Sequence, residues 1–182
     1  LPAISMRLWA EERRNGSIEL LLTLPVPLSA IVLGKYFAAL AFSALALALT
    51  FPLWISVNFL GAPDNGVILA SYLGSLMLAG GYLAIGSCLS ALTRNQVIAF
   101  VISVVACFLF TVSGAPLVLD IFRSWAPQVL TDTLASFSLL THFRAITGGV
   151  IDFRDLVFFI TLIGVFLVAT MIIVDMKKGE GA

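Results

Sequence analysis

Residues 156–174 read LVFFITLIGVFLVATMIIV, a stretch of 19 residues without one charged side chain. A helix rises about 1.5 Å per residue, so about 20 apolar residues cross the hydrocarbon layer of a bilayer. Three more charge-free windows precede it, at 36–63, 65–93 and 95–119. Because all four windows are continuously apolar rather than alternating, they favour helices over barrel strands. The sequence therefore predicts an all-α polytopic membrane protein, a helical bundle with four complete spans at about 28–60, 66–92, 96–119 and 156–174.

The composition of the whole chain agrees with a membrane location. Of its 182 residues, 60% are hydrophobic and 11% charged, with ten basic side chains against ten acidic ones. Soluble domains have about 45–50% apolar and about 25% charged residues. The balanced charge offers no basic face, so the lipid bilayer is a predicted partner and nucleic acid is not. Cys88 and Cys107 lie in apolar windows and are expected to be small buried hydrophobes.

The basic residues of the loops predict the orientation. Seven lie on one side of the four spans and three on the other, and basic loops favour the cytoplasm. An even number of spans then places both ends of the chain on the cytoplasmic side. The seven are Arg7, Arg13, Arg14, Lys35, Arg94, Lys177 and Lys178, and the three are Arg123, Arg144 and Arg154.

Residues 120–155, on the predicted outer side, differ from the spans because polar residues interrupt them. A spacing typical of a helix predicts a short amphipathic or re-entrant helix that ends at Gly148-Gly149. Asp152 and Asp155 are then expected to be the N-cap and the third residue of the last span. The residues that carry the helical spacing are Leu130, Leu134, Phe137 and Thr141. Four charges either line an outer vestibule or are solvated loop charges: Asp120, Arg123, Asp132 and Arg144.

The chain has no sequence signature of catalysis, cofactor binding or metal binding. No charge lies within the four windows, which argues against proton-coupled transport, and there is no phosphate-binding G-x-x-x-x-G-K-[ST] loop. His142, the single histidine, has no carboxylate or Cys neighbour at ligand spacing, so no metal site is predicted. A membrane-embedded enzyme is disfavoured because no cluster of nucleophile, base and orienting group is evident.

The densest charge lies in residues 10–25. A first short helix is predicted to end at the Asn15-Gly16-Ser17 break, and a second to run from Ser17 to Leu24, with Glu19 in its first turn. Such an element beside the first span favours a docking surface. The alternative is a solvated loop whose positive charges set the topology, and the spacing leaves both open. The candidate docking residues are Glu11, Glu12, Arg13, Arg14, Gly16 and Glu19.

The run at 6–26, MRLWAEERRNGSIELLLTLPV, resembles the signature of type-2 ABC-transporter permeases. It is most similar to the branch associated with gliding motility or copper processing, in which a G-K-[YF] segment follows, as in Gly34-Lys35-Tyr36. Residues 93–96 and 149–156 also resemble the family. The resemblance implies six spans, with residues 10–25 as the cytoplasmic coupling segment that docks on a separate ATP-binding subunit.

On this resemblance, residues 1–182 form one partial permease domain. It would lack the first span and most of the second, with residues 1–9 as a remnant of the latter, and the natural start is expected upstream. The resemblance further implies a bacterial inner-membrane location, a second permease copy or paralogue as dimer partner, and export. The chain itself is expected to be no enzyme, with ATP and Mg²⁺ held by the partner subunit. The alternative function is a non-transporting scaffold or assembly factor that recruits a cytoplasmic partner.

Overall fold

A computed structural model of the protein describes residues 1–16, 25–113, 115, 118–120, 133, 136–149 and 152–178. Within these ranges the chain is helical and has no strand, which confirms the predicted all-α class. In chain order the helices are α1 (Pro2–Ser5), α2 (Ala10–Asn15), α3 (Leu28–Ala48), α4 (Phe51–Leu60), α5 (Asn65–Leu92), α6 (Gln96–Val112), α7 (Leu139–Thr147) and α8 (Phe153–Lys178).

Three helical stretches in the described part of the chain are long and apolar enough to cross a membrane. They are 28–60, which joins α3 and α4, then α5, and then α8. Within the third of the four predicted spans, 96–119, α6 is shorter: it begins after the Asn95 cap and ends at Val112, after 17 residues. Gly114 and Pro116 follow directly in the sequence, and both residue types disfavour continuation of a helix. Three spans are therefore supported, and a fourth remains a prediction.

The first span is interrupted between α3 and α4, at Leu49 and Thr50. Pro52 lies in the first turn of α4, where its missing N–H leaves no intrahelical hydrogen bond unmade. The Thr50 hydroxyl donates to the Leu47 carbonyl at 2.6 Å, which satisfies one acceptor at the end of α3. None of the α4 residues is buried by the rest of the chain. This apolar helix therefore leaves most of its surface exposed, apart from Trp54, which stacks on Tyr72.

The centre of the bundle is α5, which packs against α8, α6, α3, α7 and α1. Small residues let these neighbours come close. The Tyr36 hydroxyl lies where a side chain at Gly80 would begin, 2.8 Å from the position of a Cβ atom, and Ser5 occupies the corresponding space at Gly86. Close approach of helix backbones is the usual role of small residues in membrane bundles.

Two clusters of buried side chains form along α5. The first joins Trp9 with Val32, Tyr36, Leu83 and Val174, among others. It lies towards the carboxyl end of α5, which we call the α2 end of the bundle. The second joins Leu139 and Ile146 of α7 with Ile85 and Phe159, among others, and extends towards the amino end of α5, the α7 end. Two short parts of the chain outside the long helices are thus packed into the core: Trp9, just before α2, and helix α7.

Helix α7 lies within residues 120–155, where the sequence predicts a short helix. The Ser138 hydroxyl caps it by accepting from the Thr141 N–H at 3.4 Å, and it ends at Thr147, with Gly149 in the left-handed region at φ 86°. The predicted stop at Gly148-Gly149 is therefore confirmed. Phe137 and Thr141 are exposed, whereas Leu130 and Leu134 lie outside the described residues. Of the four proposed vestibule charges, Asp120 and Arg144 are exposed and Arg123 and Asp132 are not described.

Candidate functional site

Helix α2 is the described part of the predicted coupling segment. Glu11 and Glu12 occupy its first turn, and Arg13 and Arg14 its last, so both charge pairs complement the helix dipole. Gly16 ends the helix in the left-handed conformation, at φ 70°, which glycine adopts without strain. The predicted break after Asn15 is therefore confirmed. Ser17, Glu19 and the second short helix lie outside the described residues.

The amino end of α2 is held by a serine of another helix. Ser90 of α5 accepts hydrogen bonds from the backbone N–H groups of Trp9 and Ala10, at 3.2 and 3.1 Å. The Ser90 hydroxyl in turn donates to the Met6 carbonyl at 3.0 Å. The first N–H groups of a helix lack intrahelical partners, and a serine usually supplies one from the N-cap position. Here α5 supplies it, so the start of α2 is tied to a long apolar helix.

Trp9 anchors the same point with its side chain. The residue is fully buried, and its indole Nε1–H donates to the Ser87 hydroxyl at 3.1 Å. Lys35 of α3 places its ammonium 4.4 Å from the centre of a Trp9 ring, within the range of a cation–π contact. Trp9 thus joins the chain just before α2 to both α5 and α3.

Lys35 is the third attachment of α2. Its Nζ donates to the Leu8 carbonyl at 2.7 Å and forms a salt bridge with Glu12. Both charged side chains of this bridge are mostly buried. A partly buried ammonium with an acceptor, a carboxylate and an aromatic face around it is well compensated for its lost hydration. Lys35 therefore fixes one side of α2 against the first span.

The predicted docking residues divide into two groups. Glu12 and Arg13 are half-buried, and Glu12 is paired with Lys35, whereas Glu11, Arg14 and Gly16 are exposed. We call the exposed side of α2, formed by Glu11, Arg14, Asn15 and Gly16, the open face of α2. This face can be contacted from outside the bundle, while Glu12 is already engaged within the chain.

Sequence reasoning missed the residues that hold α2 in place. Ser87 and Ser90 are spaced three apart at the end of an otherwise apolar span, which puts both hydroxyls on one helix face. Lys35 belongs to the Gly34-Lys35-Tyr36 segment and to the loop charges, and neither pattern predicts its contacts with α2. Lys177 of α8 also reaches this end of the bundle, because its Nζ donates to the Leu92 carbonyl at the end of α5, at 2.7 Å. Basic side chains from three helices therefore lie at the α2 end.

A polar pair, His142 and Asp155, lies between α7 and α8, beside the core cluster at the α7 end of the bundle. His142 Nδ1 lies 2.6 Å from Asp155 Oδ1, and both side chains are buried. The other ring nitrogen, Nε2, lies 2.9 Å from the Ser136 carbonyl oxygen, and the ring stacks on Phe158 with centroids 4.0 Å apart. Asp155 Oδ2 is buried and has no hydrogen-bond partner among the described atoms.

His142 does have a carboxylate partner, Asp155, although none lies at ligand spacing in the sequence. The two residues are 13 positions apart, and the turn at Gly148-Gly149 brings α7 back onto α8. Asp152 does cap α8 as predicted, because its Oδ1 accepts from the Arg154 N–H at 3.3 Å. Asp155, in contrast, turns from the helix start to the histidine. No group of three His, Cys, Asp or Glu side chains suited to a metal occurs in the described ranges.

A family model described as "ABC-2 family transporter protein" matches residues 2–174, a range that includes α2, α7 and every predicted span. No curated protein and no solved structure matches the chain.

Proposed function

Because the chain belongs to the ABC-2 transporter family, we propose that its open face of α2 docks on the ATP-binding subunit and couples ATP hydrolysis to transport. The family assignment and the apolar helices make the chain a multi-pass membrane permease of an ABC transporter, a class that works with an ATP-binding subunit. The docking residues, the coupling and the direction of transport are the proposal.

The attachment of α2 to two apolar helices is the observation that carries this proposal. Ser90 holds the backbone at the start of α2, and Lys35 holds Glu12 in the first turn of the helix. A force applied to the open face would reach α5 through Ser90 and α3 through Lys35. A merely solvated loop would have no need of a fully buried tryptophan and a serine cap from another helix.

Glu11 and Arg14 have the chemistry expected of a docking surface. They carry opposite charges, and their positions differ by three, so they lie on neighbouring parts of one helix face. Opposite charges in fixed positions select an orientation of the partner more than they add affinity. We propose that Glu11 and Arg14 set the register of the ATP-binding subunit on α2, with Arg13 beside them and Glu19 supporting the segment that follows.

The wider assembly follows from the same family membership. We propose that two permeases, identical or paralogous, pair side by side, and that the complex exports its substrate across a bacterial inner membrane. ATP and Mg²⁺ would be bound by the partner subunit, and both ends of this chain would be cytoplasmic. The orientation is supported by the seven basic residues assigned to the side of α2 against three on the other. The resemblance to the gliding-motility and copper-processing branch stays part of the proposal.

Charge reversal on the open face tests the docking role. In the permease co-expressed with its ATP-binding subunit, the double variant Glu11→Lys, Arg14→Glu is expected to weaken binding by about tenfold or more, since like charges then face each other. Permease-dependent ATP hydrolysis should fall in parallel. Arg94→Glu is the matched control, because Arg94 is exposed and assigned to the same side but is not part of α2.

Two results would count against the proposal. Unchanged binding and ATP hydrolysis in the double variant would refute docking through the open face. Binding of an ATP-binding subunit without any effect of the permease on ATP hydrolysis would favour the scaffold function instead.

A further inference from the structure

An apolar groove with a volume of about 420 Å³ lies between α3 and α5. Ala44 and Ala48 of α3 line one side of it, and Leu73 and Leu76 of α5 line the other. All of its lining residues are Ala, Leu, Gly or Tyr. Both helices belong to membrane spans, and the groove lies in the half of α5 towards the α7 end of the bundle. It is therefore separate from the docking surface at the α2 end.

The groove has the length of one lipid leaflet. On α5 it extends from Gly66 to Leu76, a distance of ten residues. At about 1.5 Å per residue this is about 15 Å, which is half of the roughly 30 Å that the hydrocarbon layer of a bilayer measures. One acyl chain of a phospholipid covers the same distance, from the membrane surface to the middle of the bilayer.

Aromatic side chains indicate which end of the groove lies at the membrane surface. Trp54 of α4 donates its indole N–H to Asn65 Oδ1 at 2.8 Å, and its ring stacks on Tyr72, with centroids 5.9 Å apart. Tyr72 is itself part of the groove wall. Tryptophan and tyrosine are enriched at both membrane–water interfaces. The Gly66 end is therefore assigned to the interface, and the Leu76 end to the middle of the bilayer.

The size of the groove favours an acyl chain over a protein helix. A helix with side chains is about 10–12 Å in diameter, so over a length of about 15 Å it displaces roughly 1,200–1,700 Å³. The volume of the groove is about a third of this or less. Lipid tails are as apolar as leucine, so packing rather than the hydrophobic effect selects the occupant. A chain in the groove gains dispersion contacts with both helices that an empty groove would lack.

The groove has a negative charge at its surface end. Asp64 is the only charged residue between Lys35 and Arg94, and it is exposed. Its Oδ1 accepts from the N–H of Gly66 at 2.9 Å and lies 3.1 Å from the position that a Cβ atom on Gly66 would take. Because Gly66 lines the groove, this carboxylate lies beside the groove mouth. A fixed negative charge there attracts a cationic head group and repels an anionic one.

We infer that the groove between α3 and α5 binds one acyl chain of a phospholipid whose ammonium head group lies beside Asp64. The chain extends from the aromatic pair Trp54–Tyr72 towards Leu76 and fills the space between the two helices. The site depends only on the membrane spans. Its tests need no ATP-binding subunit, so their outcome is independent of the docking proposal.

Site-specific photocrosslinking tests the occupant. An aliphatic amino acid with a diazirine group replaces Leu73, which lines the groove, or Leu45, an exposed leucine of α3 outside it. The permease is extracted from membranes, washed in detergent, irradiated and weighed intact. We expect an adduct of one phospholipid at Leu73 and little or none at Leu45, because only a lipid held in the groove survives the wash.

Three results would overturn the inference. They are equal lipid adducts at Leu73 and Leu45, the absence of a lipid adduct at Leu73, and a crosslink from Leu73 to a second permease copy or to another part of the same chain. The last result would mean that protein rather than lipid covers the groove.

Filling the groove gives a matched pair of variants. Ala48→Phe places a ring where the acyl chain would lie, so most of the lipid adduct at Leu73 should be lost. Ala46→Phe makes the same change two positions away, at an exposed residue that does not line the groove, and should leave the adduct unchanged. An adduct that persists equally in both variants would refute binding in the groove.

The head group is tested in nanodiscs that contain equal amounts of phosphatidylethanolamine and phosphatidylglycerol. The wild-type adduct at Leu73 should be mainly phosphatidylethanolamine, which has an ammonium group. Asp64→Asn removes the charge but still caps α5, since asparagine is also a good N-cap residue, so it should keep the adduct and lose the preference. An equal or larger share of phosphatidylglycerol on the wild type would overturn the inferred head group.

Discussion

Two buried serines offer a matched comparison of what holds α2 in the bundle. Ser90 and Ser103 are both fully buried on apolar helices. The Ser90 hydroxyl makes three hydrogen bonds, two from the N–H groups of Trp9 and Ala10 and one to the Met6 carbonyl. The Ser103 hydroxyl has no hydrogen-bond partner among the described atoms. Replacing either serine by alanine therefore makes the same chemical change at an equally buried position. The two variants differ in the number of hydrogen bonds that they lose.

We expect Ser90→Ala to destabilise the protein and Ser103→Ala to leave it unchanged or slightly more stable. Hydrogen bonds between membrane helices contribute about 0.6 kcal/mol each on average, and a buried group left unpaired costs about 1–3 kcal/mol. Three lost bonds at that average give about 2 kcal/mol for Ser90→Ala, and more where the freed N–H and carbonyl groups stay unpaired. Removing an unpaired buried hydroxyl at Ser103 should gain up to about 1 kcal/mol.

The assay is reversible unfolding of the purified permease by denaturant in mixed micelles, followed by circular dichroism. Permease-dependent ATP hydrolysis of the complex is measured in parallel, and it should fall in Ser90→Ala and persist in Ser103→Ala. Equal changes in the free energy of unfolding for the two variants would refute the view that Ser90 anchors α2. Loss of stability without loss of ATP hydrolysis would separate the anchor from the coupling.

Two further predictions follow from the same contacts. Lys35→Met removes the partner of Glu12 and the donor to Leu8, so we expect a loss of about 2 kcal/mol in thermal unfolding, with Lys35→Arg losing less. Gly86→Ala should cost about 1–3 kcal/mol, because its new Cβ would lie 2.6 Å from the Ser5 Cβ. Gly34→Ala is its control, since a Cβ there meets nothing within 4 Å and should gain up to about 1 kcal/mol. Equal effects of the two glycine substitutions would contradict the close packing of α1 on α5.

The long helices were predictable from the sequence because their signal is local. The window at 156–174 contains no charge, and α8 spans it completely. The end of α2 at Gly16 was also predictable, since glycine at that place is a local stop signal. Within the predicted span at 96–119, α6 ends at Val112, and Gly114 and Pro116 follow in the sequence as local stop signals that an apolar count does not register.

The site contacts were not predictable because they join distant parts of the chain. Ser90 is about 80 positions from Trp9 and Ala10, so no spacing rule connects their hydrogen bonds. The pairing of His142 with Asp155 depends on a helical hairpin, which spacing within one helix does not reveal. The sequence shows that charged residues are concentrated in α2. It does not show which of them are engaged within the chain and which are exposed, because that depends on the salt bridge of Glu12 with Lys35.

The central claim is that the open face of α2 contacts the ATP-binding subunit, and photocrosslinking tests it most directly. A photoreactive amino acid is placed at Glu11 or Arg14, both exposed on α2, and at Asn58, exposed on α4 near the α7 end, as the control. The predicted result is a crosslink to the ATP-binding subunit from Glu11 and Arg14 and none from Asn58. A co-purified complex that crosslinks from Asn58 but from neither α2 position would contradict the claim.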